Sequence, residues 1–275
     1  MMFVSSKYGI IYLAKGELCF TIEEDKRGGD AGMKMRYVSN AGIIFEKNGI
    51  HIGIDCFCKD EYGIYPDLEE GLKEELLNGI EDGILSVLIF THEHSDHFCA
   101  EDVKAACDRN SELQIWSGKS VLQSLKEVGV PSEQLQEVYP SQTYEIGQTM
   151  EIQFLQTLHD GDQYAHIQNL TVLINIGKKS IAVTGDAMPR KELFQEIARW
   201  NKKVDWLVAP FPYVGLRTAR RAINDSLEIR DIFVLHQPKE DTQKWVENAK
   251  NMCEQAQDKL PYPIFPNGTG EWYEI

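Results

Sequence analysis

From Thr91 to His97 the chain reads Thr-His-Glu-His-Ser-Asp-His, which places four groups able to hold a cation, His92, His94, Asp96 and His97, within six residues. Neutral imidazole nitrogens and carboxylate oxygens are the ligands that zinc and its neighbours in the first transition row accept. In extended backbone alternate side chains point the same way, so His92 and His94 can face one ion. Asp96 and His97 then project from the continuing turn toward a second ion. Glu93 alternates away from that face and is expected to pair with backbone or lysine. Three further residues of the same chemistry stand alone: His159, Asp186 in Thr184-Gly185-Asp186, and His236. Of the seven histidines only His51 and His166 are left without a role, His51 as an ordinary strand residue.

The elements around these residues explain why they could meet. Apolar runs and turn signals give strands at Tyr8 to Leu13, Glu17 to Ile22, Met35 to Ser39, Gly42 to Glu46 and His51 to Asp55. The last two are joined at Asn48-Gly49, a pair that accepts the positive φ of a tight hairpin. Asp67-x-x-Glu70 reads as a capping box opening a helix whose apolar face is Leu68, Leu72, Leu76 and Ile80. A buried strand, Ser86 to Phe90, delivers the histidine run. Beyond it come a helix from Glu101 to Arg109, a strand at Leu113 to Trp116, a helix at Lys119 to Val128, and strands near Tyr144 and at Glu151 to Thr157. Leu170 to Ile176 and Ser180 to Thr184 form a hairpin across Gly177-Lys178-Lys179. A helix at Arg190 to Trp200, a strand at Trp206 to Val208, a helix at Leu216 to Glu228, a strand at Asp231 to Leu235 and an acidic helix after Lys239 complete the series. His159, Asp186 and His236 each follow a strand, as does Asp55, and strand ends are where α/β sheets gather ligands. A carboxylate at Asp55 would set the tautomer of a ligand histidine through its other ring nitrogen.

Composition narrows the partners. Forty-three acidic and 28 basic residues leave a formal charge of −15, which repels polyanions and argues against nucleic acid. No apolar stretch approaches the roughly 18 residues of a membrane span, and the first residues carry no signal-peptide core, so a cytoplasmic protein is expected. With 43% hydrophobic residues over 275 positions and no linker or repeat, one domain spanning 1–275 is expected. The six cysteines lack C-x-x-C spacing and read as reduced thiols. Cys56 and Cys58 lie beside Asp55, where small buried hydrophobes are the expected fate of a free cysteine.

The succession of Asp55, the His92 to His97 run, His159, Asp186 and His236 resembles, in order, the five motifs of metallo-β-lactamase-fold hydrolases, over about residues 37 to 240. The resemblance implies an α/β, four-layer αββα sandwich of two mixed sheets with helices outside. It also implies a dinuclear site, with His92, His94 and His159 on one zinc, Asp96, His97 and His236 on the other, and Asp186 bridging. Manganese or iron would suit the same donors. The helix directly after the histidine run is similar to that of the branch containing ascorbate-phosphate lactonase and N-acyl-phosphatidylethanolamine phospholipase D. The implied activity is cleavage of an ester, lactone or phosphodiester in a small anionic molecule by a shared hydroxide that Asp96 orients. A nuclease or nucleotide phosphodiesterase, or an iron-dependent sulfur redox enzyme, are the alternative readings on this fold. Substrate contacts are sought in Pro210 to Arg217, a helix opening where backbone N–H groups favour anions. Tyr213 and Arg217, with Arg220 and Arg221 beside them, are the candidates there.

Overall fold

The computed structural model describes residues 4–6, 9–14, 17–22, 32–140, 142–147 and 150–275, with backbone alone for the first three stretches. In chain order the first half runs β1 (Val4–Ser6), β2 (Gly9–Ala14), β3 (Glu17–Ile22), β4 (Lys34–Tyr37), β5 (Ile43–Lys47), β6 (Ile50–Ile54), α1 (Glu70–Glu81), β7 (Leu85–Phe90), α2 (Ala100–Arg109), β8 (Gln114–Ser117) and α3 (Lys119–Glu127). The second half runs β9 (Leu135–Glu137), β10 (Thr143–Ile146), β11 (Met150–Leu158), β12 (Gln168–Ile176), β13 (Lys179–Val183), α4 (Lys191–Trp200), β14 (Lys203–Pro210), α5 (Pro212–Gly215), α6 (Arg217–Ser226), β15 (Glu228–Leu235), α7 (Trp245–Gln255) and β16 (Trp272–Glu274).

Among the described residues the strands form two mixed sheets. One has nine strands in the order β1-β2-β3-β10-β11-β12-β13-β14-β15, the other seven in the order β16-β4-β5-β6-β7-β8-β9. Inward side chains of both, among them Ile52, Ile89, Trp116, Phe154, Val172, Val208 and Phe233, share one core. The outer face of the seven-stranded sheet is covered by α1 to α3 through Leu72, Leu76, Ile80, Val103 and Leu125. The outer face of the nine-stranded sheet is covered by α4 to α7 through Phe194, Ile197, Val214, Ile223 and Ala249. This is the layered sandwich expected from the sequence. The near-continuous apolar run of β7 follows from its place between the parallel neighbours β6 and β8, buried on both faces.

Parallel pairing matters for the site, because β6 and β7 in one sheet and β13, β14 and β15 in the other run with their C-terminal ends toward one edge. Asp55, the His92 run, Asp186 and His236 stand immediately beyond those ends. Both hairpins form: Lys47 pairs with Ile50 around Asn48 and Gly49, at φ 53° and 79°, and Ile176 pairs with Lys179 around Gly177 and Lys178.

Some boundaries differ. The capping box does not form: α1 starts at Glu70 after Glu69, and Asp67 instead accepts the Asp60 N–H at 2.6 Å. The helix expected from Leu216 to Glu228 is α6, with α5 as a separate turn before it. Strands β14 and β15 are longer than their apolar centres because parallel pairing runs from Lys203 with Glu228 to Pro210 with Leu235. Tyr8 lies outside the described residues. Among those described, no helix is long and apolar enough to cross a membrane.

Candidate metal centre

The structure brings all seven expected ligands together. His92 Nε2 and His94 Nδ1 are 3.1 Å apart, His159 Nε2 lies 3.1 Å from His94 Nδ1 and 3.3 Å from His92 Nε2. A tetrahedral ion with metal–nitrogen bonds of about 2.0–2.1 Å has nitrogens about 3.3–3.4 Å apart, so this triangle fits one zinc-sized cation. A second group lies beside it. His236 Nε2 is 3.1 Å from His97 Nε2 and 3.0 Å from Asp96 Oδ2. Asp186 reaches both groups, its Oδ2 lying 3.6 Å from His159 Nε2 and 3.3 Å from His236 Nε2. Asp186 Oδ1, 3.3 Å from His97 Nε2, is buried without a hydrogen bond. Inward nitrogens crowded on one another and an orphaned carboxylate oxygen suit a dinuclear cation site.

The chain around the ligands determines which ring nitrogen faces inward. Asp55, buried and left-handed at φ 50°, accepts the Thr91 N–H at 2.8 Å, the Thr91 hydroxyl at 2.7 Å and His97 Nδ1 at 2.8 Å. By holding a proton on Nδ1, Asp55 leaves Nε2 as the nitrogen through which His97 would bind a cation that displaces its other proton. The Thr91 hydroxyl also lies 3.0 Å from His92 Nδ1, and the Asp160 carbonyl holds His159 Nδ1 at 2.7 Å. His94 alone in its trio uses Nδ1. His236 is also left-handed, at φ 64°.

Three supports had no sequence signal. Asn40, buried between β4 and β5, donates Nδ2 to Asp96 Oδ2 and to its backbone carbonyl, both at 3.1 Å, while its carbonyl accepts the His236 N–H at 3.1 Å. Asn169 on β12 accepts the Asp186 N–H at 3.0 Å and donates to the Thr184 carbonyl at 2.9 Å. Gly185 between them has φ 54°, and a Cβ there would stand 2.5 Å from Asn169 Oδ1, so this turn needs glycine. Around the opening, where His94 and Asp186 are partly exposed, stand three tyrosines. Tyr65 is edge-on to His236 at 4.1 Å between centroids, Tyr164 packs on His94 and His159 at 4.9 and 5.0 Å, and Tyr62 is 59% exposed.

Electrostatics separates the two groups. Burial, and then the neighbouring charge of His97, holds His92 well below the usual imidazole range, and burial with His159 lowers His94. Both are therefore neutral donors. At His97 and His236 burial is outweighed by Asp186 and Asp96, which raise His97 and bring His236 to about 10. The carboxylates are shifted in the opposite sense: against burial, His97 and His236 lower Asp96, and His236 and His97 hold Asp186 well below its usual range.

The remaining candidates lie elsewhere. The buried Tyr213 hydroxyl donates to the Ala187 carbonyl, and its ring meets Phe194 at 5.8 Å. The arginine cluster does not face the centre. Arg220 turns inward to Asp258 with two bonds of 2.8 Å, Arg221 lies 3.7 Å from Asp225, and exposed Arg217 shares with them a surface cleft against α7 that no ligand residue lines. Cys56 and Cys58 are buried, burial raises both thiols, Cys58 to about 11, and neither belongs to the candidate metal-binding groups among the described residues. Glu93 accepts the Ser120 hydroxyl at 2.8 Å. His166 is exposed, and His51 packs on Trp272.

Solved structures share this fold at low identity. A possible metal-dependent hydrolase from Veillonella parvula DSM 2008 superposes with a TM-score of 0.66 and 13% identity, over 89% of this chain and 100% of that one. Isothiocyanate hydrolase from Delia radicum gut bacteria gives 0.63 and 14%, over 88% and 99%. CmlA, a diiron beta-hydroxylase from Streptomyces venezuelae, gives 0.61 and 16%, over 90% of this chain but 55% of its own length. No curated protein matches the sequence. The pattern of the beta-lactamase superfamily domain matches residues 75–257, which covers α2, the His92 run, His159, Asp186 and His236, and on that match the chain belongs to the beta-lactamase superfamily.

Proposed function

We propose that the protein is a zinc-dependent hydrolase of small molecules, with two ions held by His92, His94 and His159 on one side and Asp96, His97 and His236 on the other, bridged by Asp186. The observation that carries this reading is the pair of inward-facing donor groups sharing one carboxylate. Bound there, the ions would supply Lewis acidity and bring the pKa of a water from about 15.7 toward 7.

The chain's own residues supply the rest. Asp96 Oδ2, fixed by Asn40 Nδ2 at 3.1 Å, is the carboxylate placed to orient the attacking water and take its proton. Asp186 aligns both groups, and Asp55 and Thr91 keep His97 and His92 in the tautomers that leave Nε2 free. No serine or cysteine nucleophile is needed. Two divalent ions against Asp96, Asp186 and a hydroxide leave a net positive charge of about one, which draws an anionic or carbonyl group inward despite the acidic surface. Esters, lactones and phosphodiesters fit this machinery, the lactonase-like reading among them. A charge of −15 weighs against nucleic acid as the substrate.

The test is a hydrolysis screen over lactones, carboxylic esters and phosphodiesters, using protein of measured metal content. Cleavage that tracks about two zinc ions per chain is expected. Iron near one equivalent with no hydrolysis of any class would overturn the reading.

A further inference from the structure

Segment 59–67 carries no ligand motif, yet it builds the wall beside His236. Asp60, 8% exposed, accepts the N–H groups of Tyr62, Ile64 and Tyr65 at 3.0, 2.5 and 2.6 Å, and its own N–H donates to Asp67. The loop is fastened on both flanks. Lys239 N–H donates to the Ile64 carbonyl at 2.8 Å and Asn40 N–H to the Pro66 carbonyl at 3.3 Å. Backbone bonds therefore hold Tyr65 from both sides and set its half-buried ring edge-on to His236. The phenols of Tyr37, Tyr144, Tyr213 and Tyr273 each donate to an acceptor of the protein. Among the described residues, none hydrogen-bonds the hydroxyl of Tyr65. A rigidly held phenol at the mouth of a hydrolytic centre, with its donor unspent, is placed for a ligand oxygen.

We infer that Tyr65 is a catalytic residue whose hydroxyl donates a hydrogen bond to the substrate oxygen that gains negative charge during cleavage, on the His236 side of the centre. The inference rests on the hydrolase reading above. The phenol keeps its proton throughout, and no bond to it forms or breaks. Substrates are thereby oriented with the carbonyl or phosphoryl oxygen toward Tyr65 and the body of the molecule toward the opening at His94.

Tyr65→Phe removes one oxygen and keeps the ring against His236. Against the best substrate of the wild type, kcat should fall by about 10²-fold. Metal content and Tm should stay unchanged. A readout independent of turnover is the Kd of inorganic phosphate for the zinc-loaded protein by calorimetry, which should rise about tenfold or more as a charged oxygen loses one donor. Equal kcat and equal phosphate affinity in the two proteins would overturn the role, and so would loss of zinc from the variant, which would make Tyr65 a support of the metal site. A wild type that cleaves nothing overturns the hydrolase reading and this role with it. A wild type that cleaves, with a variant that matches it, overturns this role alone.

Discussion

Asp55→Asn tests how the strand ends set the ligands. The Asp55 carboxylate accepts three donors, with Thr91 N–H on Oδ1 at 2.8 Å and the Thr91 hydroxyl and His97 Nδ1 on Oδ2 at 2.7 and 2.8 Å. An asparagine amide that keeps its oxygen toward Thr91 N–H turns its NH₂ toward His97 Nδ1. That nitrogen must then accept, which moves the imidazole proton to Nε2, the atom 3.1 Å from His236 Nε2. The proton occupies the direction a metal needs. Affinity for the second ion should drop about 10- to 100-fold, equal to about 1.4–2.8 kcal/mol. Loss of one charge-assisted bond should lower folding stability by about 1.5–3 kcal/mol, read as a Tm lower by several degrees. Zinc competition against a chromophoric chelator separates the two ions. The first, on His92, His94 and His159, should be weakened less, because Asp55 reaches that trio only through Thr91. Two ions bound by Asp55→Asn with wild-type affinity would refute the tautomer argument.

Asp96→Asn keeps the shape of the side chain and its bond to Asn40 but loses charge and proton affinity, so turnover should fall by about 10² or more while the first ion is retained; steady-state kinetics with metal analysis checks both. Arg217→Ala should leave kcat/KM within about twofold for anionic and neutral substrates alike, because the exposed guanidinium looks onto α7 rather than the centre; a selective loss for the anionic substrate would return this helix to the substrate site. In the metal-free protein Asp186 and Asp96 outweigh burial and raise His236 to about 10, so below that pH an ion entering the second group must displace a proton, whereas burial keeps His92 and His94 neutral. Calorimetry in buffers of different ionisation enthalpy should therefore show proton release on filling the second group, with affinity weakening as pH falls from about 10 toward 7. The same sign applies to stability: the metal-free fold holds its protonated-His236 contribution below about 6.5 and loses it as pH rises through about 10.

The candidate metal site was legible because residues of ligand chemistry are rare in this chain and stand just beyond strand ends. His92, His94, Asp96 and His97 stand within one heptapeptide, Asp186 and His236 follow strands whose C-terminal halves are apolar and buried, and His159 follows the alternating, half-buried β11. Asp55 was legible for the same reason. The supports were not, because their partners are remote or their chemistry common. Asn40 meets Asp96 across 56 positions, and an asparagine in Ser39-Asn40-Ala41-Gly42 reads as a turn residue. Asp67 has the spacing of a helix cap, but the loop carrying Tyr65 takes its carboxylate to close on Asp60. The arginines at the opening of α6 drew attention as the densest basic cluster in an acidic chain. Only the packing of Asp258, 38 residues away, shows that Arg220 serves the fold. Segment 56–67 shows no periodic pattern, since its conformation is set by the local bonds of Asp60 together with remote contacts to Ser95, Asn40 and Lys239.

In the proposed dinuclear centre Asp186 joins two unlike donor groups. Crystals soaked in zinc and measured on both sides of the zinc absorption edge test it directly. Two anomalous peaks are expected, one about 2.0–2.1 Å from His92 Nε2, His94 Nδ1 and His159 Nε2, the other among Asp96, His97 and His236, with an Asp186 oxygen bonded to each. A single peak, or two peaks with Asp186 bonded to neither, would contradict a dinuclear centre bridged by Asp186.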